Sequence, residues 1–314
     1  MLRYLILQLS DDSPSFCHYE NKSDSHKLLS ARDLIEAIRF SMKENLAIQT
    51  IFPPYQLPDE YWSLISGLNM VKIASSDSFY SPQADVLVYK SIRDLNDSSP
   101  GNEQICVLLL NNEDLKSLGN IDGSIFLGSK RLVISLQGIS CFGDKEFDEY
   151  AKGLHSLSLK LEKVYKDGGN ASVNVLSDIL FTEKMNNCNA GVESITIAPN
   201  GKAYLCPAFY YDSPESSVGN CSGVDIKNRH LLELEYAPIC KICDAYHCRR
   251  CIWLNQKLTG ELNTPSKQQC ILSHIERNQG KALLARIRKI DSSFASGRTI
   301  KEIEYLDPFE LISK

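Results

Sequence analysis

The stretch CKICDAYHCRRC, residues 240–251, places four cysteines in twelve residues as two CxxC pairs separated by four residues. A CxxC turn points two sulfurs at one centre, so two such turns at this density form a metal site. Four thiolates suit zinc or an iron–sulfur cluster. Zinc ribbons set about 15–20 residues between their CxxC pairs, so that two separate turns can face one ion. Ferredoxin-type runs are tighter, and their fourth cysteine ligates a different cluster from the first three. The compact run therefore reads as one shared between two clusters. Outside it, Cys188, Cys206 and Cys221 precede and Cys270 follows, so eight of the eleven cysteines lie between residues 188 and 270. Eight thiolates would supply two cubane clusters with four ligands each. Cys106, inside the apolar run ICVLLL, reads instead as a core cysteine.

The elements that must position these thiols follow from the rest of the chain. It has 314 residues, 43% hydrophobic and 23% charged, with a formal net charge of −5. That composition is globular, and no global basic field argues for nucleic acid. No apolar run approaches the ~20 residues of a membrane span. The N-terminal MLRYLILQLSDDSP reads as a first strand rather than a signal peptide, so a reducing, cytoplasmic setting is expected. Runs rich in Val, Ile and Leu at residues 2–9, 47–53, 71–74, 84–89, 104–110 and 131–137 predict six strands. Between them, Ser30 and Asp33 cap a helix whose Leu34, Ile35, Ile38 and Met42 share a face, and residues 61–68 predict a second. Phe147, Tyr150, Leu154, Leu157, Leu161 and Val164 predict a long helix that ends at KDGGN. The fold class is α/β. Both a partial (β/α) barrel and an open parallel sheet remain possible. ESITIAPNGKAYLCP, residues 193–207, predicts a hairpin closed by a two-residue turn at Asn200-Gly201. Leu283, Leu284, Ile287 and Ile290 predict a last helix.

The order C-x₁₂-G-x₄-C, then C-x₂-C-x₄-C-x₂-C, then a last cysteine resembles the SPASM domain over roughly residues 185–275. The family's central spacings are x₂, x₅ and x₃, so two loops are one residue shorter here. The resemblance implies auxiliary 4Fe–4S clusters: an outer one on Cys240, Cys243, Cys248 and Cys270, and an inner one on Cys188, Cys206 and Cys251. Cys221 is then the candidate for the fourth inner ligand. In that family the module follows a radical SAM barrel, whose first strand leads into CxxxCxxC. Here only Cys17 stands in such a place, and the other two positions are Ser10 and Pro14, which supply no thiolate. The chain thus resembles a degenerate, pseudo-radical-SAM core joined to a SPASM module. SFCHY and FSMKENLAIQTIFPPYQLPDEYW further resemble the CXXX repeat peptide maturases of Bacteroidetes.

These resemblances imply three parts: a degenerate core over 1–182, an iron–sulfur domain over 183–276, and a helix and tail over 277–314. They imply an iron–sulfur protein of ribosomal peptide maturation, with two 4Fe–4S clusters. It would act beside a radical SAM maturase on a Cys-rich precursor peptide, by binding, docking or electron relay, and with no catalytic residue identified. The alternative is a zinc-stabilised scaffold without a redox role. A third reading is an enzyme with a small-ligand site at the strand ends. GSIFLGSK, residues 123–130, lacks the Gly-Lys-Ser/Thr order of a phosphate loop and reads as a turn. His18 reads as a loop histidine. His247 reads as a cluster ligand, a cluster-tuning residue or a surface histidine, and Arg249 and Arg250 as solvated or charge-balancing arginines.

Overall fold

The computed structural model describes residues 1–21 and 25–300. The tail expected to reach residue 314 lies outside the described residues from 301 onward. The first part alternates β1 (Tyr4–Gln8), α1 (Ala31–Lys43), β2 (Ala47–Ile51), α2 (Asp59–Ile65), β3 (Met70–Ser75), β4 (Val86–Tyr89), α3 (Ile92–Asn96), β5 (Ile105–Leu110), α4 (Ser124–Gly128) and β6 (Arg131–Leu136). Two helices follow, α5 (Asp144–Lys166) and α6 (Asn174–Phe181). The cysteine-bearing part contains β7 (Asn186–Asn187), β8 (Ser194–Ile197), β9 (Lys202–Tyr204), α7 (Pro207–Asp212), β10 (Gly219–Asn220), β11 (Gly223–Val224), β12 (Arg249–Arg250), α8 (Ile252–Thr259) and α9 (Lys267–Arg288).

Strands β1 to β6 pair in sequence order and all in parallel, and β8 runs parallel on the other side of β1. The antiparallel strands β9, β10 and β11 extend that edge, giving one ten-stranded sheet. A doubly wound sheet reverses its strand order and carries helices on both faces. Here one face packs Leu5, Leu7, Ile48, Leu87, Leu108 and Ile134 into the core that also holds the helices. The opposite face buries Ile6, Ile51, Ile73, Val88, Val107 and Leu109 against one another, with no helix residue among them. Strand side chains that bury each other are the interior of a curved sheet. Of the two architectures left open by the sequence, the partial (β/α) barrel is the one formed.

Local chemistry explains most boundaries and four departures. Ser30 Oγ accepts the Asp33 N–H at 3.0 Å and starts α1 as predicted. The buried seam of α1 runs through Leu34, Ala37 and Ser41, which leaves Met42 exposed. GSIFLGSK contains the short helix α4 rather than only a turn, started where Asp122 Oδ1 accepts the Ser124 N–H at 2.8 Å. The hairpin of β8 and β9 forms, but its loop is not the two-residue type. Gly201 N–H donates to Ala198 O, Ala198 N–H donates to Lys202 O, and Gly201 has φ 77° whereas Asn200 is not left-handed. Pro199 fixes the first turn position near −65°, which pushes the left-handed residue to Gly201 and makes a three-residue loop. Ile290 lies past the end of α9 and is exposed, whereas Leu283, Leu284 and Ile287 are buried. Helix α9 runs unbroken through residue 276 and meets α6 at Gly280, where a Cβ would stand 2.3 Å from Ile179 Cγ2.

Candidate metal centres

The run 240–251 folds as tight turns. Cys243 N–H donates to Cys240 O at 3.1 Å, and Cys248 N–H donates to Ala245 O at 2.9 Å. Ser266 caps α9 by accepting the Gln269 N–H at 3.2 Å, which sets Cys270 in the first helical turn. These elements bring Cys240, Cys243, Cys248 and Cys270 together as electrostatic neighbours. Burial pushes the Cys270 thiol up to about 11, and raises Cys240 and Cys248 as well. Thiols held this way stay protonated unless a metal displaces the proton.

A polar frame fixes this outer set. Tyr150 OH on α5 donates to Glu276 Oε1 at 2.6 Å, His247 Nε2 lies 2.9 Å from Glu276 Oε2, and Arg277 donates to Asp244 Oδ1 at 2.5 Å. His247 is therefore buried rather than a surface residue, and its Nδ1 has no hydrogen-bond partner among the described residues. An orphaned donor or acceptor beside Cys248 suits a bound sulfide or thiolate. Cys243 Sγ also stands 4.0 Å from His274 Nε2. Among the described residues, Cys243, Asp244 and His274 are the one set of three such ligand atoms within 4.8 Å of one another. His274 follows Cys270 by one helical turn, a spacing that could have flagged it in the sequence.

A second set gathers around the start of α8. Strand β12 pairs in parallel with β7, Arg250 against Asn187, so Cys251 and Cys188 come next in register; Cys188 N–H donates to Arg250 O at 3.4 Å. Cys206 is the residue before α7, and Cys251 the residue before α8. The thiol of Cys251 neighbours Cys17, Cys188 and Cys206, and that of Cys206 neighbours Cys188 and Cys17. Burial pushes the Cys17 thiol up to about 11 and raises Cys206 and Cys251. The structure does not bring Cys221 to this set. Cys221 lies in the turn between β10 and β11 at the sheet edge, beside Asp33 and Glu36 of α1.

A tetrahedral zinc, with Zn–S about 2.3 Å, draws its sulfurs to about 3.8 Å from one another. No three sulfurs of either set lie within 4.8 Å of one another. Arg250 adds a second test of fit. It is buried, and its described hydrogen bonds go to the neutral acceptors Asn187 Oδ1 at 3.0 Å, Asn263 Oδ1 and Leu232 O. Cys240, Cys188 and Cys251 are its electrostatic neighbours. A buried guanidinium without a carboxylate is costly, and nearby anionic thiolate centres would balance it. Arg249, by contrast, is exposed as expected of a solvated arginine.

The loop after β1 closes on itself. Ser10 Oγ lies 2.9 Å from Tyr55 OH and donates to Asp12 Oδ2 at 3.3 Å; Ser13 Oγ donates to Ile51 O at 3.0 Å. The buried Asp11 carboxylate accepts from Tyr210 OH at 2.7 Å, from Lys27 N–H at 3.1 Å and from Ser25 OH. His18 Nδ1 lies 2.9 Å from Leu136 O, and burial lowers its pKa. A cleft of about 270 Å³ opens beside the second set, lined by His18, Tyr19, Cys141, Tyr211, Trp253 and Lys257. Another cavity of about 590 Å³, with Ser75, Asp77, Tyr89 and Lys90 in its wall, lies at the ends of β3 and β4 and includes no cysteine. No described helix is long and apolar enough to cross a membrane. Cys106 is buried on β5.

No protein-family profile matches the sequence, and no curated protein sequence matches it. Among solved structures the chain is similar to anSMEcpe with bound AdoMet, with a TM-score of 0.60 and 12% identity over 94% of this chain and 98% of that chain. It is similar to anSMEcpe with bound AdoMet and the Kp18Cys peptide, with a TM-score of 0.59 and 12% identity over 91% of this chain and 100% of that chain. Streptococcus suis SuiB bound to S-adenosylmethionine overlaps more loosely, with a TM-score of 0.41 and 11% identity over 85% of this chain and 77% of that chain. The likeness to anSMEcpe is one of fold.

Proposed function

We propose that the chain is an accessory iron–sulfur protein of a ribosomal peptide maturation system, acting beside a radical SAM maturase on a Cys-rich precursor peptide. One observation carries the reading. A buried, carboxylate-free arginine has cysteines of both thiol sets as electrostatic neighbours, on a radical-SAM-like barrel whose first loop offers a single cysteine. Cys240, Cys243, Cys248 and Cys270 would hold the outer 4Fe–4S cluster, and Cys188, Cys206 and Cys251 the inner one. When bound, such clusters supply one-electron transfer at potentials set by charge, hydrogen bonds and exposure. The chain's own residues hold and tune them. Glu276, braced by Tyr150 and His247, fixes the outer turns against α9, and Arg250 places positive charge beside the centres.

The cleft beside the inner set is the site for the peptide. Tyr19 and Tyr211 stack there with ring centroids 5.7 Å apart, and Lys257, paired with Asp212 at 2.7 Å, lies 4.8 Å from the Trp253 ring centre. Aromatic walls with one polar pair suit an extended peptide segment. That anSMEcpe takes a peptide together with AdoMet supports peptide handling on this fold. The zinc reading keeps one observation in its favour, the compact Cys243, Asp244 and His274 set. Its carboxylate is already committed to Arg277, which weakens it as a ligand.

Titration calorimetry separates binding from radical generation. The anaerobic protein should bind a synthetic peptide of repeated Cys-x-x-x units and show no stoichiometric heat with S-adenosylmethionine. The loop at Ser10 and Pro14 leaves no three-thiolate cluster to chelate the latter. Tight, stoichiometric S-adenosylmethionine binding would contradict the accessory role.

A further inference from the structure

We propose that Cys17, from the loop after β1, is the fourth ligand of the inner cluster with Cys188, Cys206 and Cys251, and that Cys221 holds no cluster. The inference rests on the iron–sulfur reading above and completes its inner site.

Three segments carry it. The cleft of about 270 Å³ is lined by His18 and Tyr19, next to Cys17; by Ala208 and Tyr211, just after Cys206; and by Trp253 and Leu254, just after Cys251. The chain stretches bearing these three thiols therefore converge on one opening. Cys188 joins them through the parallel pairing of β7 with β12. The loop of Cys17 is anchored to α7, the helix that Cys206 begins. Tyr211 OH donates to Asp11 O at 3.1 Å, Tyr210 OH to the Asp11 carboxylate at 2.7 Å, and Tyr19 stacks on Tyr211. Ser15 Oγ donates to Cys17 O at 3.1 Å and holds the turn that presents this residue. The electrostatic neighbours agree: Cys17 acts on Cys206 and Cys251, and Cys188 acts on Cys17. Cys221 lies instead in the turn between β10 and β11 at the sheet edge, on the side of α1 that carries Asp33 and Glu36.

The consequence for function is specific. Ligation forms one Fe–S bond and releases the Cys17 proton. The inner cluster then has four protein thiolates and no open iron, so a substrate thiol or amide cannot coordinate it. Its work is confined to electron transfer. A residue from the degenerate radical SAM loop also ties the barrel to the cysteine module, so loading the cluster locks the two parts together.

The test compares Cys17→Ala, Cys17→Ser and Cys221→Ala with the unmodified protein, all purified without oxygen, by iron and sulfide analysis and electron paramagnetic resonance. Cys221→Ala should keep about eight irons and both reduced signals. Cys17→Ala should lose iron and, on mild oxidation, show the signal of a three-iron cluster, because one iron has lost its thiolate. Cys17→Ser should keep the fold and shift the inner signal, since an alkoxide replaces the sulfur. If Cys17→Ala keeps the full iron content and gains no three-iron signal, or if Cys221→Ala loses iron, the assignment fails. Zinc in place of iron in the unmodified protein would instead overturn the functional reading itself.

Discussion

Replacing Cys243 and Cys248 together by alanine removes the outer cluster and leaves the inner one, so iron and sulfide fall from about eight to about four per chain. Two lost thiolates leave Cys240 and Cys270 alone, and two ligands do not retain a cubane. The effect should reach the fold. The turns from Cys240 to Cys248 have few regular backbone hydrogen bonds of their own, so metal binding contributes directly to their stability. The melting temperature should drop, and amide exchange should rise in residues 237–250 while β1 to β6 stay protected. Unchanged iron content would show that these cysteines hold no cluster.

Arg250 gives the second large effect. Arg250→Met removes the guanidinium donors to the part-buried Asn187 and Asn263 oxygens and to the buried Leu232 O. Each such loss costs about 1–3 kcal/mol, so a total of about 3–9 kcal/mol is expected. The same change takes a positive charge from beside the thiol sets. Reduction adds negative charge to a cluster, so both reduction potentials should become more negative. Arg250→Lys separates the two roles. It keeps the charge and loses the planar fork, so the potentials should stay near those of the unmodified protein while stability falls. Redox titration followed by electron paramagnetic resonance reads the first effect and thermal melting the second. Potentials that do not move in Arg250→Met would leave Arg250 with a structural role alone.

The parallel strands were legible because they are short apolar runs at regular spacing, and each of the six predicted runs overlaps one strand. The choice between barrel and open sheet was not. It depends on whether Ile6, Ile51, Ile73, Val88 and Val107 meet each other or a helix, and that is set by curvature rather than local pattern. In the cysteine module, spacing alone was enough to group Cys240, Cys243 and Cys248. The resemblance left Cys221 as the candidate for the fourth inner ligand, whereas Cys17, from the far end of the sequence, is an electrostatic neighbour of Cys251. The hairpin turn was misread by one residue because Asn200-Gly201 was weighed without the φ restriction of Pro199. The burial of Arg250 was hidden for a different reason: its acceptors are neutral and come from three separate segments. His247 likewise shows its role only with Glu276, 29 residues away, in place.

The central claim is that the two cysteine sets hold two iron–sulfur clusters. It is tested most directly by purifying the protein without oxygen and measuring iron, acid-labile sulfide and zinc per chain, with an electron paramagnetic resonance spectrum of the reduced form. The account predicts about eight irons with matching sulfide and the signals of two reduced 4Fe–4S clusters. Zinc with no iron would contradict it and leave a structural metal site, with the search for function moving to the cavity at the ends of β3 and β4.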